Sequence, residues 1–281
     1  MKLCSIWHGG ELSWIERVCL ASAIDVVHEL DLYAYDEIKN VPKGVTVKDA
    51  SEVMPRDFMV RSRAHRPDKL KGNIRKIGSD NIASFAHGAD VFRMFLLQQG
   101  RGCYVDCDVL FLRQIPEQDV IFAWENKDRI NNAVLRLPAD SPIMSEMIEA
   151  VSGTPLIFPW WPLKRKINQR LRWLRGRDRK LEDMALTELG PQAVTPLIKK
   201  YGLADEAQAT ETFYPVPWHE APNLFLPGAV LPITDKTIGV HVWTSAVKIA
   251  RYMQPVEGSF MGDHCKRLRI SDPRWSIPLA A

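Results

Sequence analysis

Two aspartates with one residue between them, Asp106 and Asp108, have the types and spacing that could do chemistry. Alternate residues of an extended chain point to the same side, so the two carboxylates are expected to converge on one point. At about 5 Å they would repel each other by roughly 3–4 kcal/mol at an effective dielectric constant of about 20. A divalent cation between them removes this repulsion, and carboxylate oxygens are ligands that suit Mg²⁺ or Mn²⁺. The pair therefore predicts a site for one of these two metals.

The alternative is that the Asp-x-Asp pattern forms a solvated surface turn, which is its commoner environment when it stands alone. The surrounding sequence argues against this, because the pair follows the apolar run 103–105 and precedes a second apolar run, 109–112. The pattern therefore predicts a buried strand that ends at Asp106. Open α/β sheets bind their ligands at the carboxyl ends of the strands, so the pair is expected to lie at such a site.

Asp90 and Arg93 are spaced three residues apart on the helix that must precede this strand. The helix is predicted to begin at Ser79 or Asp80, which can cap it, and to end at Gly100. Its apolar face also carries Asp90 and Arg93, so both charges should point inward. Such a pair is either a buried structural ion pair or a planar fork that binds the hydroxyls of a polyol, and the sequence leaves both open.

A βαβ unit is predicted at the start of the chain, from a strand over 2–7, a glycine turn at 8–10, a helix over 12–23 and a strand over 29–35. Further strands are predicted over 45–47, 120–125, 133–136 and 237–241, and a helical turn over 49–53. Helices are predicted over 141–151, from Pro191, and after His241 through Arg251. Residues 56–75, rich in Arg, Lys and Gly, are expected to form a loop or short helices.

The pattern Ala89-Asp90-x-x-Arg93, followed by Gly102-x-Tyr104-x-Asp106-x-Asp108, resembles the donor-site signature of glycosyltransferases with a DXD sugar-binding region. The similarity is to the glycosyltransferase family 32 type and, more distantly, to the glucosylating clostridial toxins. One departure is visible, because the family usually has two adjacent glycines before the strand and Arg101 takes the place of the first. The resemblance covers roughly residues 2–250, although its specific motifs occupy only 89–108.

The resemblance implies an α/β fold of the GT-A type, with a Rossmann-like nucleotide-binding half and a mixed central sheet fused to an acceptor half. One domain over 1–281 is expected, divided into a nucleotide-sugar-binding half, 1–125, and an acceptor half, 126–281. The implied activity is that of a metal-dependent retaining hexosyltransferase in polysaccharide or glycolipid synthesis. It would move a sugar from a UDP- or GDP-sugar to a hydroxyl of a glycan or lipid-linked acceptor. No residue stands out as a carboxylate nucleophile, which favours front-face attack.

The resemblance also implies roles for particular residues. Catalysis and metal binding are assigned to two residues, Asp106 and Asp108, and His241 is expected to complete the shell of Mn²⁺ or Mg²⁺, with Ser245 as a weaker candidate. The donor sugar is expected to contact Asp90, Arg93 and Asn132. The nucleotide is expected to contact Trp7, which would stack on the base, and Tyr104.

Simpler roles remain open for three of these residues, and other activities remain open for the whole chain. Trp7 could belong to the core, Asn132 could be a hydrogen-bonded turn residue, and His241 could be a satisfied buried histidine. The same donor-site pattern is compatible with an effector-like transferase that modifies a protein. A non-catalytic sugar-nucleotide-binding protein is the other alternative, although all four charged motif residues are present.

Length and composition exclude several classes of protein. The chain has 281 residues, of which 46% are hydrophobic, enough for the core of one large domain or of two lobes. A net charge of +3 does not indicate nucleic-acid binding. The chain contains no apolar run long enough to cross a membrane and no signal-peptide pattern at its start. Five cysteines without a metal-binding spacing suit a reduced, cytoplasmic protein.

A basic amphipathic segment, residues 160–180, is the last feature of note. Residues 164–180 contain nine Lys or Arg and one acidic residue, Asp178, while Ile167, Leu171 and Leu174 recur at helical spacing. This pattern favours a helix that lies in a membrane interface and would place the protein peripherally at the inner face of the membrane. The alternatives are an ordinary helix that packs this stripe on the core and a patch that binds an acidic acceptor.

Overall fold

A six-stranded mixed sheet forms the centre of the protein. The computed structural model describes residues 1–61, 86–177, 179, 181–183 and 188–272. Its strands are β1 (Lys2–Ile6), β2 (Glu29–Ala34), β3 (Val45–Asp49), β4 (Cys103–Val105), β5 (Val109–Phe111), β6 (Ile121–Asn126), β7 (Arg129–Arg136) and β8 (Gly239–His241). The central sheet has the order β3-β2-β1-β4-β7-β6, and β5 pairs with β8 in a separate two-stranded sheet.

The central sheet combines a parallel part and an antiparallel part. β1 pairs in parallel with β2 and with β4, and β2 pairs in parallel with β3. β7 then runs antiparallel to β4 and to β6. The predicted α/β class with a mixed central sheet is confirmed, and the arrangement is consistent with the GT-A type.

Helices connect these strands. They are α1 (Trp14–Asp25), α2 (Arg56–Arg61), α3 (Ala86–Gln98), α4 (Pro142–Ser152), α5 (Leu163–Leu174), α6 (Pro191–Lys200), α7 (Thr210–Phe213) and α8 (Phe260–Arg267). Short 3-10 helices occur at Ala50–Glu52, Leu181–Asp183, Ala204–Glu206, Trp218–Phe225 and Lys248–Tyr252. In the part of the chain described, none of the helices is both long and apolar enough to cross a membrane.

The predicted βαβ unit is present as β1, α1 and β2. A capping box begins α1, in which the Ser13 hydroxyl accepts from the helix and Glu16 accepts from the Ser13 N–H at 3.1 Å. The buried face of α1 includes Ile15, Val18 and Cys19. This unit places the turn that contains Trp7 at the carboxyl end of β1.

Glycines control the passage from α3 into β4. Gly100 follows the end of α3 with a φ of +63°, as the sequence predicts for a residue that ends a helix. Gly102 has a φ of +143°, and a Cβ atom there would lie 2.7 Å from the Lys2 carbonyl oxygen of β1. Only glycine fits this position without displacing β1, whereas Arg101 shows that a side chain is tolerated one residue earlier.

The helix predicted to follow His241 and run through Arg251 is wrong in its first part. Trp243 has a φ of +56°, which an α-helix does not accommodate, and the chain leaves β8 through a turn at 244–246. The 3-10 helix at Lys248–Tyr252 follows only after this turn.

Two other predictions fall partly beyond the described chain. Residues 56–61 of the predicted 56–75 loop form α2, and the rest of that loop lies outside the described residues. The predicted helix start at Ser79 or Asp80 also lies outside them. The boundary expected at residue 125 falls inside β6, and the central sheet contains strands from both sides of it, so the division into two halves stays a prediction.

Candidate active site

Asp106 and Asp108 lie beyond the end of β4, on a tight turn and not on extended chain. The turn contains Cys107 and Asp108, and the Val109 N–H closes it by donating to the Asp106 carbonyl at 3.2 Å. The expected extended geometry is therefore wrong at this point. The Asp106 N–H still donates to the Ala133 carbonyl of β7 at 2.7 Å, so the turn is anchored to the central sheet.

His241 lies beside these aspartates because β5 pairs with β8. In the register of this pair Val109 lies opposite His241, and the Val242 N–H donates to the Asp108 carbonyl at 2.8 Å. His241 Nε2 lies 3.2 Å from Asp108 Oδ1. One ligand atom from each of Asp106, Asp108 and His241 lies within 4.8 Å of the other two. The two carboxylates thus converge as predicted, together with a histidine 133 positions away in the chain.

Thr244 is a site residue that the sequence analysis missed. Its backbone N–H and its hydroxyl both donate to Asp108 Oδ2, at 2.9 and 2.8 Å. The weaker candidate, Ser245, instead accepts a hydrogen bond from Trp218 Nε1 at 3.2 Å. The sequence does place two hydroxyl residues, Thr244 and Ser245, shortly after His241. Only the turn after β8 decides which of them faces Asp108.

The two aspartates differ in their electrostatic environment. Burial alone would raise the pKa of Asp108, but the His241 imidazole and the two donors of Thr244 outweigh burial and hold that pKa below its usual value. For Asp106, burial raises the pKa, and Arg93 offsets only part of the effect. Burial would lower the pKa of His241, but the Asp108 carboxylate outweighs it and raises that pKa. Asp108 is therefore an ionised anchor, and Asp106 has the more exposed side chain.

Arg93 joins two carboxylates in a buried network. Its Nη1 donates to Asp90 Oδ1 and its Nη2 to Asp106 Oδ1, both at 2.7 Å. Asn132 Nδ2 donates to the same Asp90 oxygen at 3.0 Å. The guanidinium lies over the Tyr104 ring, 4.1 Å from its centroid, which fixes the plane of the fork.

This network bears on the alternatives that the sequence left open. The buried ion pair of Asp90 and Arg93 exists, and it extends to Asp106. Both residues also line the cavity described next, so a sugar contact is compatible with the pair and stays a prediction. Asn132 lies within β7 and not in a turn.

A cavity of about 490 Å³ contains all the predicted site residues on its walls. They are Trp7, Asp90, Arg93, Tyr104, Asp106, Asp108, Asn132 and His241, together with Ser245. Trp7 is half-buried at the carboxyl end of β1, whereas Tyr104 is buried beneath Arg93. The contacts of these two aromatic residues with a nucleotide stay predictions.

The cavity wall includes two further charged groups that the sequence analysis did not single out. Glu125 forms an ion pair with Arg129 and accepts from Asn131 Nδ2 at 2.7 Å. Glu16 forms an ion pair with Arg251 at 2.5 Å. Glu125 ends a predicted strand, so the same strand-end argument that selected Asp106 could have found it. No local pattern connects Glu16 with Arg251.

Asp106, Asp108 and His241 fit a divalent cation by both chemistry and geometry. Two carboxylates and one imidazole within 4.8 Å of one another are ligands that divalent metals accept. The more exposed Asp106 side chain leaves the site open towards the cavity.

Comparisons with known proteins add little to this geometry. No family model and no curated protein matches the chain. Among solved structures, the protein is similar to one described as "PaToxG Glycosyltransferase", with a TM-score of 0.43, 11% identity, and coverage of 73% of this chain and 70% of that chain. At this TM-score the similarity supports no conclusion about function.

Proposed function

We propose that this protein is a metal-dependent glycosyltransferase that moves a sugar from a nucleotide-sugar donor to an acceptor hydroxyl. The observation that carries the proposal is the convergence of Asp106, Asp108 and His241 on a cavity whose walls also contain a planar arginine fork, Arg93, and a half-buried tryptophan, Trp7. A cation site, a group that can bind hydroxyls and an aromatic surface are together what a sugar nucleotide requires.

Asp106, Asp108 and His241 would hold Mn²⁺ or Mg²⁺. A cation held there would supply positive charge that stabilises a diphosphate leaving group. Asp108 is kept ionised and oriented by Thr244, so it can ligate without reorganisation. Asp106 has the more exposed carboxylate and would reach either the metal or a hydroxyl of the donor.

Asp90, Arg93 and Asn132 would bind the hydroxyls of the donor sugar. Arg93 is held by two carboxylates and by the Tyr104 ring, so its remaining N–H groups have a defined direction. Trp7 would stack on the nucleotide base.

Retention of the anomeric configuration by front-face attack is part of the proposal. Each cavity carboxylate already has a cationic or hydrogen-bonding partner among the described residues: Arg93 for Asp90 and Asp106, Thr244 for Asp108, Arg129 for Glu125 and Arg251 for Glu16. This supports the view that no carboxylate is free to act as the nucleophile of a double displacement.

Calorimetry with UDP- and GDP-sugars, with Mn²⁺ and with EDTA, tests the donor site. We expect binding to require the metal and to be lost in Asp108→Asn, which keeps the shape of the side chain and removes its charge. Asp119→Asn is the matched control, because that side chain is 91% exposed and lies away from the cavity. Equally tight binding in EDTA would refute the metal-dependent site.

Turnover distinguishes an enzyme from a binding protein. Slow metal-dependent hydrolysis of the bound donor is expected, and the anomeric form of the first sugar released, followed by NMR, reports retention. Donor binding without hydrolysis or transfer would instead favour the non-catalytic sugar-nucleotide-binding protein. Glycan, lipid-linked and protein acceptors offered in parallel separate polysaccharide or glycolipid synthesis from an effector-like activity.

A further inference from the structure

Helix α5 turns its apolar side towards the solvent. Leu163, Ile167, Leu171 and Leu174 lie within an arc of about 80° at about 100° per residue. Their exposed fractions are 72%, 49%, 42% and 71%. An amphipathic helix on the surface of a globular protein normally buries this arc against the core. The structure therefore contradicts the alternative in which the stripe packs on the core.

The opposite, polar side of α5 attaches the helix to the protein. Gln169 is 3% exposed, and its Nε2 donates to the Arg179 carbonyl at 3.0 Å. Arg165 makes a two-point ion pair with buried Glu188, at 3.1 and 2.9 Å, and its guanidinium lies 3.9 Å from the centre of the Trp161 ring. Rotation of the helix about its axis would break these contacts, so the outward direction of the apolar stripe is built into the fold.

Positive charge surrounds the exposed stripe. Residues 163–177 contain seven Lys or Arg and no Asp or Glu. Lys164 and Arg170 flank the apolar arc on its two sides, and both are exposed. Trp173 is 43% exposed and belongs to the same helix. An apolar stripe bordered by cations, with an exposed tryptophan, matches the boundary between lipid headgroups and acyl chains.

We propose that α5 docks the protein on the surface of an anionic lipid bilayer. The helix lies parallel to the membrane, with Leu163, Ile167, Leu171 and Leu174 below the headgroups. The exposed cations that flank this stripe, Lys164 and Arg170, lie among the lipid phosphates. A second copy of the chain is a poorer occupant, because it would bring the exposed cations of its own helix against those of the first. An acidic protein segment would match the positive charge but would offer no apolar surface for the apolar stripe to pack against.

Vesicle co-sedimentation of the full chain tests this docking, and it does not depend on the proposed transferase activity. The vesicles contain phosphatidylcholine alone or phosphatidylcholine mixed with phosphatidylglycerol, at ionic strengths where the Debye length is about 30 Å and about 3 Å. We expect binding to the anionic vesicles at low salt, at least about tenfold weaker binding at high salt, and weak binding to the neutral vesicles. Absence of binding to anionic vesicles at low salt, or equal binding to both kinds, would overturn the proposal.

Paired variants test the two parts of the surface. Ile167→Gln with Leu171→Gln is expected to weaken binding at least about tenfold, because the polar side chains no longer insert below the lipid headgroups. The matched control is Val230→Gln with Ile249→Gln, which removes two exposed apolar side chains elsewhere, 97% and 76% exposed. Equal loss in both pairs would refute a role for α5.

The charge is tested in the same way. Lys164→Gln with Arg170→Gln is expected to weaken binding about 30-fold, at about a factor of five for each cation. Lys43→Gln with Lys127→Gln lowers the net charge by the same amount on other exposed positions and is expected to change binding less than about threefold. Thermal unfolding confirms that each variant is folded. If Ile167→Gln with Leu171→Gln abolishes a dimer in analytical ultracentrifugation and wild type does not bind vesicles, a second copy covers the stripe and the bilayer proposal is wrong.

Discussion

Thr244→Val should destabilise the protein through Asp108. The substitution removes the hydroxyl that donates to Asp108 Oδ2 at 2.8 Å and keeps the shape of the side chain. Two donors remain for this carboxylate, the Thr244 backbone N–H and His241, so the loss should lie near the lower end for a charged hydrogen bond. We expect a decrease of about 1.5 kcal/mol in the free energy of unfolding, which corresponds to a melting temperature lower by about 3–6 °C.

Urea denaturation in EDTA at neutral pH measures this loss without a metal. Neutral pH is suitable because the pKa of Asp108 is lowered in the folded state. A carboxylate with a lowered pKa stabilises the fold above its unfolded pKa, about 3.9, and that contribution is lost as the pH falls through the folded value. The effect of Thr244→Val should therefore be constant near neutral pH and should shrink in acid.

A double-mutant cycle assigns the effect to the contact. Thr244→Val and Asp108→Asn should be coupled by about 1 kcal/mol or more, because they remove two ends of one hydrogen bond. Thr195→Val is the control: Thr195 is 8% exposed, like Thr244, and its hydroxyl bonds to the backbone of Ile130. It should cost about 1 kcal/mol on its own and show no coupling to Asp108→Asn. Coupling of both threonines to the same extent would refute the argument.

Four further outcomes are expected. Asp90→Asn should lower the free energy of unfolding by about 1.5–3 kcal/mol in urea titrations and should also weaken donor binding measured by calorimetry. Asp119→Asn should change neither quantity. A loss of stability with unchanged donor binding would show that Asp90 only forms a structural ion pair. Burial lowers the pKa of His28, so the neutral form is favoured in the folded state and stability should fall as the pH drops below about 6.5, by up to about 1.4 kcal/mol per pH unit. Melting curves of His28→Gln should show a shallower dependence, with a remainder from His264, whose pKa burial also lowers; an unchanged slope would contradict the role of His28. Gly102→Ala should cost at least about 2 kcal/mol in urea because its Cβ would meet a carbonyl of β1, whereas Gly176→Ala, also at positive φ but with nothing within 4 Å of its Cβ, should cost about 1–2 kcal/mol. Mn²⁺ at about 100 times its Kd should raise the melting temperature by about 5–10 °C, reversed by EDTA, if the proposed site binds it.

Patterns over short stretches were sufficient to predict the strands of the central sheet and several residues of the cavity wall. The glycines, apolar runs and helical spacing of the first 35 residues predicted the βαβ unit, and it is present. The apolar run before Asp106 predicted a buried strand there, and β4 ends at Val105, directly before Asp106. Such predictions succeed because a strand or helix is specified by neighbours a few residues away.

Tertiary structure alone decided how the site is assembled. Thr244, and not Ser245, holds Asp108, because the register of β5 with β8 and the positive φ of Trp243 determine which hydroxyl points inward. Likewise, Arg93 joins Asp106 to Asp90 although the spacing indicated only the contact with Asp90. No local pattern encodes these contacts, since they depend on how two distant segments are aligned.

Helix α5 also shows what the sequence alone does not determine. Its sequence determined that one side would be apolar and that cations would surround it. Periodicity does not determine which side a protein covers, because that depends on the partners available to each side. Here Arg165, on the polar side, forms an ion pair with Glu188 and packs on the Trp161 ring. The apolar side therefore faces outward.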